Sequence, residues 1–228
     1  MKTLVAMIGV LLSLIPQVQA GGVGNGGMAY VCRKPSTGEI YFAQLLDLWE
    51  PDHKMIIRDN ERSVKEQLDR AISILGEFFP YGRNEISKAI AIDEGRTTTT
   101  NGKPLMPTAD SLPTYGAKNE CDFEQIAVHG YDYELRKTVL KIDEEIYNSS
   151  AFTNTDRAAL KFHEALYEIA RQNWNVTDSR FVRSAVAFFF SNSHPSYVEI
   201  DSSMRYAIAQ LFSPKSGYSY ENGKPFAS

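Results

Sequence analysis

Hydrophobic and polar positions first recur along this chain at strand spacing and later at helical spacing. Met28-Ala-Tyr-Val-Cys32 and Ile40-Tyr-Phe-Ala43 are short β-rich runs on either side of Pro35-Ser-Thr-Gly38, a cluster of turn residues. That arrangement predicts a β-hairpin. Leu45-Leu-Asp-Leu-Trp49 continues it as a strand end or a short helix. Val64, Leu68, Ala71, Ile72 and Leu75 form one apolar stripe, predicting a helix over Ser63–Phe79. Ser63 with Glu66 three residues on is a capping box, and Pro80 and Gly82 stop the helix. A second, short helix is expected over Glu85–Ile92, then a long loop over 96–119 with room for one brief strand. Cys121 to Val128 reads as a single strand.

Beyond that point the pattern is helical. Leu135, Val139, Ile142 and Ile146 suggest one helix, and Asp156–Gln172, capped by Thr153 or Thr155, a second. Ser179–Ser191, capped by Asp178, is a third and carries Ala185–Ala187 and Phe188–Phe190. Met204, Ala207, Ile208, Leu211 and Phe212 stripe a last helix, and residues 213–228 read as a frayed tail. The expected fold class is α+β, a small antiparallel sheet packed on a mainly helical C-terminal half. It forms a single domain over 28–212.

The first twenty residues follow a different logic. Lys2 is the positive start, Leu4 to Ile15 an apolar run, and Val18-Gln19-Ala20 ends in small residues after Pro16. This is the layout of a secretory signal cleaved after Ala20. The run is short for a membrane span. The expectation is an exported protein, periplasmic or secreted, with no membrane span once the signal is removed. Residues 21–27, Gly-Gly-Val-Gly-Asn-Gly-Gly, then become a flexible leader. Gly22, Gly24 and Gly27 match G-x-G-x-x-G, but no strand precedes them and a strand-like segment follows, so they do not make a dinucleotide site.

Composition narrows the partners. The formal charge of the 228 residues is −4 and no basic run stands out, which argues against nucleic acid. The expected partner is an envelope or extracellular protein or polymer. Cys32 and Cys121 are the two cysteines, and in an oxidising compartment they read as one disulfide. It closes a loop of about 90 residues, a stabilisation of roughly 4–5 kcal/mol in the chain-entropy model. The sequons at Asn148 and Asn175 matter only in a eukaryotic secretory pathway.

One helix carries chemistry-bearing residues. His163-Glu164-Ala-Leu-Tyr167 departs from the zinc-peptidase pattern H-E-x-x-H by a tyrosine where the second histidine belongs. His163 and Tyr167 lie within about 40° of each other around a helix, so the geometry survives while a ligand is lost. In a degenerate zincin-like hydrolase, Glu164 would activate water, and His163, with His194 arriving from a loop, would hold zinc. In the architectural reading, His163 shares a face with Ala159, Phe162, Leu166 and Ala170. His163, Glu164 and Tyr167 then form a buried polar cluster, with Arg183 as a partner. The architectural reading is preferred, and no cofactor is expected. The expected function is a non-enzymatic binding or structural protein of the envelope, with the metal-dependent hydrolase second.

Several segments in order also resemble a known group. They are Gly24-Asn25-Gly26-Gly27, Val31-Cys32-Arg33, Leu45-Leu46-Asp47-Leu48-Trp49-Glu50, Cys121 with Glu124-Gln125-Ile126-Ala127, Thr155-Asp156 through Leu160, His163 through Tyr167, Asp178-Ser179 and Val182-Arg183. The chain resembles a family of uncharacterised secreted proteins of Gram-negative bacteria, numerous in predatory species. The resemblance implies a bacterial source, export to the periplasm or beyond, and a role for the His163–Tyr167 helix. It supplies no catalytic mechanism.

Overall fold

A computed structural model describes residues 26–50, 58–106, 108, 120–133, 135–174, 179–191, 202–212, 219–221 and 224–226. The signal segment with Ala20, residues 21–25 of the leader, Asp178 and His194 lie outside the described residues.

The hairpin forms as its turn chemistry dictates. Strands β1 (Met28–Arg33) and β2 (Ile40–Leu45) pair antiparallel. Gly38 sits at φ +73°, a conformation that favours glycine, and its N–H donates to the Lys34 carbonyl. Strand β1 is central in a three-stranded sheet, between β2 and a strand formed by Cys121–Gln125. Both its faces are covered. Ala29 and Val31 join the main core, while Tyr30 stacks on Trp49 at 4.4 Å and packs near Phe123 on the other side. Leu46–Trp49 is the short helix α1.

Helix α2 (Val64–Phe78) has Ser63 as N-cap, with both halves of the capping box formed. Pro80 does more than end it. Its fixed φ suits the first position of a helix, and α3 runs from Pro80 to Arg96, beyond the short helix expected. Gly82 lies inside α3, where the Phe212 ring leaves no room for a side chain. Strand β3 (Thr97–Thr99) follows directly.

The expected strand Cys121–Val128 is two strands. β4 (Cys121–Gln125) pairs with β1, and β5 (Ala127–Asp132) leaves for a second sheet. The break falls at Ile126, where the Gly27 carbonyl accepts from both Ile126 N and Ala127 N. The pairing Cys32↔Cys121 in β1–β4 forms the disulfide, Cα–Cα 3.9 Å.

The helix expected through Leu135, Val139, Ile142 and Ile146 is not present as one element. Lys137–Ile142 is strand β6, and a short helix α4 (Glu144–Asn148) follows, capped by Asp143. Spacing at three and four residues fits a helix by sequence, but β5 offers β6 a complete antiparallel register from Ala127↔Ile142 to Asp132↔Lys137. Val139, Leu140 and Ile142 are then buried, while Leu135 stays exposed in the turn. The second sheet has order β3-β6-β5, with β3 and β6 parallel.

Helix α5 (Asn154–Trp174) is the hub. It packs against α2, α3, β2 and the following helices α6 (Arg180–Phe190) and α7 (Ser202–Leu211). Phe162 of α5 meets Phe189 and Phe190 of α6 at 5.6 and 5.9 Å. Within the supposed tail, β7 (Ser219–Glu221) and β8 (Lys224–Phe226) pair antiparallel instead of fraying. The fold is α+β, with a small three-stranded antiparallel sheet and a mixed sheet packed against helices. Among the described residues no helix is long and apolar enough to cross a membrane.

Candidate functional site

The polar residues of α5 sit inside the molecule. His163 and Glu164 are fully buried and Tyr167 nearly so. A buried polar group costs stability unless it finds a partner, so the sequence around this helix must supply several. Successive helical residues point about 100° apart, and His163 and Glu164 serve different neighbours accordingly.

His163 faces α1. Its Nδ1 lies 2.7 Å from Asp47 Oδ2, and Asp47 is itself fully buried. Tyr167 stacks on the His163 ring with centroids 6.1 Å apart. Glu164 faces the junction of the two sheets. Its Oε1 accepts from Gly27 N at 2.5 Å, and its Oε2 lies 3.1 Å from His129 Nε2 on β5. That second contact is electrostatic, since it departs from hydrogen-bond alignment.

The end of the leader is therefore structural, contrary to the expectation of a flexible segment up to residue 27. Gly26 and Gly27 are buried. A Cβ on Gly26 would stand 2.1 Å from the Ala127 carbonyl oxygen, and one on Gly27 2.3 Å from Leu160 Cδ1 and 3.0 Å from Glu164 Oε1. Glycine is required because backbone meets backbone there. The Gly27 carbonyl also accepts from Gln125 Nε2, which donates again to Ala127 O.

Arg183 reaches two further partners. Its Nε donates to Glu50 Oε1 at 3.1 Å and its Nη1 to Ser179 Oγ, tying α6 to the end of α1. The carboxylate of Glu164 is held by the Gly27 N–H and faces His129.

Burial pulls the His129 imidazole down. The Glu164 carboxylate, then Asp93 and Glu168, outweigh it and hold His129 above its ordinary value. Asp93 is raised chiefly by burial, against the opposing pull of His129 and Arg96.

Asp47, His129 and Gly27 escaped the sequence reading. Asp47 carried a signal, a lone carboxylate in the apolar run Leu45–Trp49, which a buried strand-to-helix junction tolerates only with a partner. His129 ends the apolar triplet Ala127-Val128-His129 in the same way. Neither residue points to its partner, 116 positions from Asp47 in one case. Of the two candidate zinc ligands of the hydrolase alternative, His163 is engaged at Nδ1 by Asp47 and His194 is outside the described residues. Among the described residues no group of three or more histidine, cysteine or acidic side chains is arranged to hold a metal ion. No protein-family model, curated protein or solved structure matches this chain.

Proposed function

We propose that the protein is an exported, non-enzymatic binding protein of the bacterial envelope or its surroundings, and that its His163–Tyr167 helix is architectural. What supports the second half is the environment of Glu164. A general base must reach the water it activates. Here one carboxylate oxygen takes the Gly27 N–H and the other faces His129, at zero exposure. The charge that would drive chemistry instead joins three chain segments far apart in sequence. The layout of Lys2, Leu4–Ile15 and Ala20 supports export.

Elemental analysis of chelator-free protein, combined with denaturation of His163→Ala and Glu164→Gln, tests the reading. The expected result is metal well below one equivalent and lowered stability in both variants. Stoichiometric zinc, lost in His163→Ala while the fold persists, would overturn it in favour of a zincin-like hydrolase. N-terminal sequencing of envelope-fraction protein tests export, with Gly21 expected first. Recovery of Met1–Ala20 on soluble cytoplasmic protein would sink that part.

A further inference from the structure

Gly26 and Gly27, at the end of the leader, hold their place without side chains. Four hydrogen bonds seat Gly27: its N–H donates to Glu164 Oε1 at 2.5 Å, and its carbonyl accepts from Ile126 N, Ala127 N and Gln125 Nε2. The other members of the contact are held more widely. Glu164 lies midway along α5, and His129 is fixed in β5 by the register with β6. When this contact opens, the glycines are the part able to move, since local opening starts where the fewest apolar contacts are lost.

Charge decides whether it opens. Glu164 is fully buried. Its Oε2 and both His129 ring nitrogens make no hydrogen bond among the described residues, so across 3.1 Å the pair is held by charge. The charged groups facing His129 are acidic, Glu164 and Glu168 from α5 and Asp93 from α3. Arg96 Nη2 lies 2.6 Å from Asp93 and 3.7 Å from Glu168, and Arg171 Nη1 lies 3.7 Å from Glu168. From the sheet, β6 sets uncharged Leu140 opposite His129, with Thr97 of β3 beside it. Among the described residues, His129 alone pairs with Glu164 as a cation. Burial opposes the proton on His129, but the carboxylates outweigh it and hold the imidazolium above its ordinary value of 6.5. Once that proton is gone, the Glu164 charge at zero exposure keeps the Gly27 N–H as its donor and no counter-charge. Such a state is costly, and water relieves it. Water reaches the carboxylate when Gly27 withdraws.

We propose that the Gly26–Gly27 end of the leader is a latch closed by the proton on His129. With the imidazolium facing Glu164 the two glycines stay seated on α5, and loss of that proton to water lets them withdraw while the rest of the fold stays closed. Withdrawal uncovers Leu160, Ile126 and the Glu164 carboxylate, an apolar slot with one charge at its base. The latch depends neither on export nor on what the protein binds. The seated state holds the proton more tightly than the open one. Its advantage is therefore complete below 6.5 and is lost as pH rises through the folded value.

Amide hydrogen exchange of the full chain, read by NMR across roughly pH 5–9 and corrected for intrinsic rates, tests the latch. The Gly27, Ile126 and Ala127 amides are expected to exchange through a small opening. Their protection should be lower than that of the Leu45 amide, which donates to Asp156, and nearly insensitive to low urea. It should hold steady below the ordinary value of His129 and then fall by up to about tenfold per pH unit until the imidazole has lost its proton. His129→Gln should abolish that fall. Where the variant does not fold, the imidazole titration of the unaltered chain replaces it, and its midpoint must mark the upper end of the fall. Protection independent of pH, or equal to that of Leu45 with the urea dependence of global unfolding, would overturn the latch. So would a fall that survives in His129→Gln, or an imidazole midpoint away from its upper end.

Discussion

Helix α5 carries two buried carboxylates with matching jobs and different partners. Asp156, near its start, accepts from Leu45 N of β2, from Thr153 N and Oγ1, and from the Arg58 guanidinium through Nε and Nη2. Glu164, two turns on, accepts from Gly27 N just before β1 and faces His129. Each thus anchors the first sheet to the hub helix through one backbone N–H. A guanidinium is a permanent cation, whereas an imidazole gains and loses its proton in the ordinary pH range. The first anchor is fixed, and the second depends on a proton. The comparison also locates the leader. What the sequence presents as a glycine-rich start serves here as the counterpart of a strand end.

The largest effect should come from Asp156→Asn. It leaves Arg58 facing a neutral group in a part-buried site, and breaking such a pair costs about 3–5 kcal/mol. Urea denaturation monitored by circular dichroism measures it. A loss under 1 kcal/mol would show that water reaches Arg58 and that the first anchor is not rigid. Gly26→Ala should rank next, at roughly 1–3 kcal/mol, because the clash is with the backbone of Ala127 and Val128. A neutral Gly26→Ala would mean the leader can withdraw from the core without consequence.

Glu164→Gln is expected to cost about 1–3 kcal/mol, since the amide keeps an acceptor for Gly27 N and loses the charge facing His129. Here the two anchors separate. The ordinary value of His129 is 6.5 and the folded value lies above it. The folded state therefore binds that proton more tightly than the unfolded chain does. Its contribution is complete below the ordinary value and is lost as pH rises through the folded one. The shift at Asp93 has the same sign, starting from 3.8. Stability should therefore decline on the alkaline side. His129→Gln should flatten that decline and Asp156→Asn should leave its slope in place, which denaturation at several pH values will read. This is the smallest of the expected effects and the sharpest test of the difference between the anchors.

Legibility in the sequence followed the range of the interaction. The capping box at Ser63–Glu66, the turn at Pro35–Gly38 and the long helix through His163 rest on residues within one or two turns of each other, and all three form. The Cys32–Cys121 pair was readable because two cysteines leave one pairing. The stripe at Leu135, Val139, Ile142 and Ile146 misled because a period of three and four also fits a strand, a turn and a short helix in succession. Nothing local marks Ile126 as the point where one strand becomes two. That break exists because Gly27, 99 positions earlier in the chain, presents its carbonyl there. Likewise the residues that hold Glu164 carry no mark of it. Gly27 looked like part of a flexible leader, and His129 like the end of an apolar run.

By itself the sequence determined the local elements, the sole cysteine pairing and the need for buried partners around His163 and Glu164. Capping, turn geometry and amphipathic spacing act within a few residues, and the cost of burying a charge is a property of the side chain alone. Only the tertiary structure decided which partners those are. Asp47 with His163, and Gly27 and His129 with Glu164, each arise where segments distant in sequence are brought together. Such meetings are set by strand pairing and helix packing over the whole chain, and residue type at one position does not encode its neighbour across them.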